Sequence, residues 1–298
     1  MKYSVFLFVL FLNACNTKKS NIKEVQISTE KNLYFGQKPP SLIPELFAPN
    51  LVSMSGRHEF GISFSSDLKE VYFSAVIVGQ KVAIYYSKLQ DEKWSPIKRA
   101  DFTKGEKDTE MKPFVSLIED KIYFAAYNAE TKSPKIWYVT RTKDSWNEAK
   151  PIESPINNDR VFCLNQGKSG GFYYTSLEKR KMFSIKDINP ESTIEDLNIE
   201  FGTQGCISPS QDYLVVNARK KEYEQSKNDL YVYFKMKDGS WSKPFRFGEE
   251  INSNVSETVP SITPDGKYMF FSRYNEEGGL SNFYWVSTEV IEKLRPKQ

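Results

Sequence analysis

The sequence predicts an all-β fold, a β-propeller of five four-stranded blades with six as the alternative count. Three observations carry that expectation. Aromatic residues make up 14% of the 298-residue chain, chiefly 21 Phe and 17 Tyr, a bias that suits strands over helices. Five segments share one shape, a hydroxyl or small residue followed by a polar turn and an apolar strand, and they recur about every fifty residues. Each continues into a further strand and a tight polar turn, so a unit holds four short antiparallel strands, the content of a propeller blade.

In chain order the repeated segments are Ser65 to Ser74, Ser116 to Ala125, Gln166 to Thr175, Ser208 to Asn217 and Thr263 to Ser272. With Tyr72, Tyr123, Tyr173, Val215 and Phe270 as equivalents, the spacings are 51, 50, 42 and 55 residues. The next strand of each unit reads 82–87, 135–140, 181–185, 229–234 and 282–287. A polar turn then leads into Trp94, Trp146 or Trp241; the third unit lacks the Trp, and Asp238-Gly239 is a strong hairpin signal. Pro96 and Pro244 follow closely. Proline is tolerated there because an outermost strand has a free edge.

The fifth unit ends at Val286-Ser287, and residues 288–294 read as a short helical tail in place of an outer strand. The missing strand is expected from the other end of the chain, where Ile43 to Pro49 precedes the first inner strand as Trp241 to Phe247 precedes the fifth. Such a latch would remove both open edges of the ring.

Thr263-Pro264-Asp265-Gly266-Lys267 resembles the hallmark turn of WD40-like β-propeller repeats of the TolB type. Ser65-Ser66-Asp67 and Ser208-Pro209-Ser210 match it in part, while the second and third units have lost the Pro-Asp-Gly. The resemblance spans roughly residues 44–288 and implies envelope assembly or surveillance as a setting.

At the N-terminus, Lys2 precedes an apolar run of 10 residues, Tyr3 to Leu12, shorter than a membrane-spanning helix needs. Leu12-Asn13-Ala14-Cys15 resembles the lipobox of bacterial lipoproteins, which implies that Cys15 is acylated and becomes the mature N-terminus. The expected organisation is a signal peptide over 1–14, a flexible tether over 15–40, and one propeller domain over 41–298 with a short C-terminal helical tail. The polar stretch after Cys15 carries no retention signal. By analogy this places the chain on the periplasmic face of the outer membrane.

Composition removes several function classes. With 41 Lys+Arg against 38 Asp+Glu, the formal charge of +3 supplies no basic face for nucleic acid. The single histidine, His58, leaves no room for most metal sites or a His-dependent triad. No phosphate-cradling glycine loop, nucleophile elbow or zinc-binding helix motif occurs, so neither catalytic residue, metal nor cofactor is expected. Cys163 and Cys206 remain after Cys15. Their aligned positions differ by one, which points them to opposite faces and favours two thiols over a disulfide.

A binding site is expected at the channel mouth, where each inner strand opens. Alignment puts Glu59, Glu110, Arg160, Gly202 and Glu257 at one level of the ring, with His58 adjoining. Such a set would suit a polyol, a sugar or a peptide terminus, with Arg160 as its cation; alternatively it keeps a wet channel mouth soluble. The expected role is a monomeric, non-enzymatic binding or scaffold module for an envelope protein, peptidoglycan or glycan, tethered by lipid. The alternative is a glycosidase, with Glu110 and Glu257 as paired carboxylates.

Overall fold

A computed structural model describes residues 32–143, 145–219, 227–275 and 279–297. They form five four-stranded antiparallel blades in a closed ring. In the first, the inner strand Arg57–Phe64 pairs with Glu70–Ile77, then Ala83–Gln90, then an outer strand broken around Pro96 into Lys93–Trp94 and Lys98–Arg99. The second runs through Thr109–Val115, Lys121–Tyr127, Lys135–Thr140 and Lys150–Pro151, and the third through Val161–Gly167, Gly170–Ser176, Lys181–Ile185 and Ile194–Asp196. The fourth comprises Thr203–Ile207, Tyr213–Arg219, Asn228–Phe234 and Phe245–Arg246. The fifth takes Glu257–Ile262, Tyr268–Tyr274 and Ser281–Ser287 from the end of the chain and its outer strand, Glu45–Leu46, from the beginning.

That outer strand is the expected latch. Glu45 lies opposite Trp285 and Leu46 opposite Tyr284, and the Phe47 amide extends the ladder by donating to the Phe283 carbonyl at 2.9 Å. Blades five and one also meet on their inner side through one parallel bridge, His58 to Ser281. The tail expected after Ser287 is a single helical turn, Glu289–Glu292, whose Ile291 is fully buried.

Burial follows the two-residue period of the strands. Tyr72 packs toward blade two while Phe73 packs back toward blade five; Phe124 faces blade one while Tyr123 faces blade three. The buried apolar residues accordingly form five clusters, one in each gap between neighbouring blades. A ring of five sheets has five gaps, so a filled gap between the last blade and the first is the packing signature of closure.

The gap at the seam holds more than its two blades. Phe47 sits there fully buried, edge-on to Phe270 at 4.9 Å and to Trp285 at 5.3 Å. Upstream, the one-turn segment Leu33–Gly36 inserts Tyr34 between Phe64, Tyr268 and Trp285, and stacks Phe35 on Trp94 at 4.4 Å. The Trp94 indole donates to the Asn32 carbonyl, and the Gln37 amide donates to the Leu46 carbonyl while its oxygen accepts from the Ala48 amide. Within the stretch expected as tether, 15–40, the described residues 32–37 already pack on the ring, with Leu33, Tyr34 and Phe35 as the apolar anchors. The expected signal peptide and Cys15 lie outside the described residues.

The repeated hydroxyl also has its reason. Ser65, Ser116, Ser208 and Thr263 are buried, and each accepts from backbone amides of its own hairpin, closing the turn between the first two strands. Blade three has Gly167 at this position, where a Cβ would lie 2.1 Å from the Gln211 side chain; Gln211 reaches across from blade four to the Gly170 carbonyl and the Tyr173 hydroxyl. A neighbour's amide thus replaces the missing hydroxyl.

Phe47→Ala should cost about 3–5 kcal/mol, the range for emptying a buried aromatic position. Calorimetry should show a lower Tm with a single transition, because the seam holds the whole ring. Removing residues up to Asn50 should abolish cooperative unfolding; a truncated chain that melts like the parent would refute the latch.

Candidate functional site

Glu59, Glu110 and Glu257 stand at equivalent register positions, opposite Ala75, Ala126 and Arg273, but they share no hydrogen-bond partner with one another. Each glutamate is consumed by the loop that leads into its own blade. Glu59 Oε1 accepts from the Met54 amide and the Arg57 guanidinium at 3.0 Å each, and Oε2 accepts from the Asn282 amide group. Glu110 takes the Phe102 amide on Oε2 and both the amide and hydroxyl of Thr103 on Oε1, at 3.0, 2.7 and 2.6 Å. Glu257 Oε1 accepts from the Ser253 amide and hydroxyl and from the Arg273 guanidinium.

All three side chains are buried. Burial pushes Glu59 above the ordinary carboxylate range, opposed by Asn282, the Met54 amide and Arg57. Glu257 is likewise raised by burial, against the pull of Ser253 and Arg273. Its second oxygen, Oε2, is buried with no hydrogen-bond partner. A carboxylate that fixes the amides of an incoming loop performs the same service three times in one ring.

Arg160 lies elsewhere. Val161, paired with Ser176, occupies the position equivalent to Glu59, Glu110 and Glu257, and Arg160 is exposed just outside the strand with its amide on Asp159. The alignment was one residue out in this blade, and its incoming loop is held by an asparagine. There Asn157 holds the preceding blade, accepting from the Ile136 amide and donating to the Ile136 and Ile152 carbonyls. Asn252 does the same in the loop before blade five. Sequence reasoning overlooked these loops, although they carry a signal: a buried apolar residue followed by a polar one, in Val52-Ser53, Phe102-Thr103, Ile156-Asn157 and Ile251-Asn252.

His58 is half-buried at the seam, its Nδ1 2.7 Å from the Ser281 hydroxyl and its ring against Phe60 and Tyr274. Burial and the Lys112 ammonium both lower its pKa below the usual imidazole value.

Below the mouth, every inner strand carries a bulge whose first residue is left-handed: Gly61, Lys112, Cys163, Gln204 and Val259. Such a residue leaves the ladder of its own blade. Three of the freed amides find acceptors on the preceding blade: Lys112 donates to Ser74 Oγ, Gln204 to Thr175 Oγ1 and Val259 to Asn217 Oδ1. The bulges pinch the axis to a cavity of ≈ 60 Å³, and no Asp or Glu stands among its wall residues. Cys163 and Cys206 both line it as free thiols, so their separation does not come from opposite faces. Instead the bulge sets them at different heights, Cys163 at its start and Cys206 just past it. Burial pushes the Cys206 thiol up to about 12. No group of three or more His, Cys, Asp or Glu able to hold a metal occurs among the described residues.

His58 supplies a clean pH probe, being the sole histidine. The folded state resists protonating it whereas the unfolded chain titrates as an ordinary imidazole near 6.5, so stability is lost as pH falls through that value. The raised Glu59 and Glu257 act oppositely, adding stability that disappears as pH rises through their folded values. Because both glutamates stay in a His58→Gln variant, the difference in Tm between variant and parent should shift in favour of the variant from pH 7.5 to 5.5. A constant difference would mean His58 titrates normally.

No family model matches the chain, and no curated protein does either. Solved structures do. The GH43 endo-arabinanase from Bacillus licheniformis superposes with a TM-score of 0.54 at 9% identity, covering 78% of this chain and 95% of that one. The α-L-arabinofuranosidase from Podospora anserina, solved with cellotriose, gives 0.52 at 12% identity, covering 85% and 97%. TolB from Acinetobacter baumannii gives 0.46 at 15% identity, and this chain spans 53% of its length. At these identities the likeness to the first two concerns architecture alone, and together with the five closed blades it establishes a β-propeller.

Proposed function

We propose that this chain is a lipid-tethered envelope propeller that works as a non-enzymatic binding module, docking a protein partner on the face where its inner strands begin. The carrying observation is a cluster of exposed apolar side chains at that end of blade one. Among the described residues, Leu51 and Met54 in the loop before the inner strand are 53% and 42% exposed, and Ile77 and Val78 in the adjoining hairpin are 36% and 76% exposed. Register ties the two loops together, since Arg57 lies opposite Ile77. Large apolar residues grouped at one spot on a soluble surface mark an interaction site. Peptidoglycan or glycan would occupy the same face with polar contacts.

The chemistry of the channel favours binding over hydrolysis. Glycoside cleavage needs two carboxyl groups roughly 5–9.5 Å apart on either side of the bond. Here the mouth carboxylates are engaged by their own loops, and the cavity wall holds none. The endo-arabinanase and arabinofuranosidase likenesses carry no chemistry across at such low identity.

A photo-crosslinking residue at position 78 should yield one discrete adduct in the envelope fraction, lost on Leu51→Asp, whereas the same probe at Ser169, on the opposite end of the ring, should yield none. Release of reducing ends from arabinan, removed by Glu110→Gln, would overturn the reading. Independently, acyl-chain labelling should be retained by the parent and abolished by Cys15→Ala, with the variant leaving the membrane fraction.

A further inference from the structure

The axial cavity poses an electrostatic question that the docking face does not. Lys112 is only 8% exposed, yet it forms no ion pair with a carboxylate among the described residues. Its Nζ lies 3.1 Å from Cys163 Sγ, and the rings of Phe162 and Phe60 stand 4.6 and 6.0 Å away. A thiol is a weak acceptor and can satisfy only a small part of an ammonium with three donors. The aromatic faces offset some of the desolvation, but burial of an uncompensated charge costs several kcal/mol.

The wall around Lys112 offers donors in excess. Gln166 is 2% exposed and lines the same cavity; its oxygen accepts from the Ser116 hydroxyl, while its Nε2 has no hydrogen-bond partner. Acceptors that could have served are occupied. Asn165 Oδ1 takes the Ile207 amide, and Ser63 Oγ takes the Val115 amide. His58 feels the Lys112 charge, which together with burial disfavours its protonated form, and an imidazole offers Lys112 no negative charge.

A cavity of ≈ 60 Å³, with a buried cation, a buried amide lacking an acceptor and no carboxylate, has the chemistry of an anion site. We propose that it binds a small monovalent anion of halide or formate size, with the Lys112 ammonium as its counter-charge and the Gln166 amide as a further donor. A volume of ≈ 60 Å³ suits a few non-hydrogen atoms, and its wall contains none of the exposed apolar residues of the docking face, Leu51, Met54, Ile77 and Val78. Bound there, the anion neutralises the one buried charge on the axis and couples blades two and three.

Thermal unfolding at matched ionic strength tests the idea. Replacing sodium gluconate, whose anion is too large, with sodium chloride or sodium formate should raise the Tm of the parent by about 3 °C. That is the shift a single site gives in a chain of this size when filled at several times its Kd. Lys112→Met, similar in shape and uncharged, should remove the difference between salts, and Gln166→Leu should reduce it. Equal shifts in parent and Lys112→Met would signal general salt effects and overturn the proposal. Should Lys112→Met not fold, bromide soaked into crystals of the parent decides the matter. An anomalous peak within hydrogen-bond reach of Lys112 Nζ supports the site, and its absence rejects it.

Discussion

A ring of sheets built from one chain has a seam, and everything else in this molecule depends on how that seam is closed. Blades one to four each draw four strands from consecutive sequence, so their edges are satisfied locally. The fifth has three strands at the end of the chain and must borrow its fourth from the beginning. Only two residues, Glu45 and Leu46, supply that strand. Their ladder would be weak alone, so the seam is reinforced by packing: Tyr34, Phe47, Phe64, Phe270 and Trp285 form a continuous aromatic cluster across it. Non-directional burial thus reinforces a short ladder at the one place where a blade cannot draw its outer strand from adjoining sequence.

Within the ring, two kinds of polar device repeat, and both are architectural. Hydroxyls buried beneath the first hairpin of a blade hold its turn; carboxylates and asparagines at the opposite end fix the connecting loops. Loops between blades run where backbone groups would otherwise lose water without gaining partners. One buried side chain with two or three acceptor positions is an economical remedy, which explains why Glu59, Glu110 and Glu257 are buried despite their charge.

The architecture was legible in the sequence because it is written by repetition: the strand period, the turn hydroxyls and the proline-bearing outer strands recur often enough to be aligned by eye. Even the latch could be inferred from a missing strand at one end and a spare one at the other. The candidate site was less legible. A glutamate at the start of a strand looks the same whether it faces a ligand or an amide four to eight residues upstream. The choice is made by loop geometry, which single-sequence reading cannot supply. The left-handed bulge was invisible for a related reason. Only one of its five positions is glycine, Gly61, the others being Lys112, Cys163, Gln204 and Val259. Neighbouring blades supply acceptors at three of them, and that tertiary compensation overrides the residue preference on which a turn prediction would rely.

The anchoring of the first described residues has a mechanical consequence. Asn32 is held by the Trp94 indole and Phe35 is stacked on the same ring, so the chain is fastened to blade one before it crosses to blade five. Tension arriving from upstream of Asn32 would load this aromatic clasp and the Gln37 amide first, and would reach the two-residue strand only after they had yielded. The strand that closes the ring is thereby shielded from force.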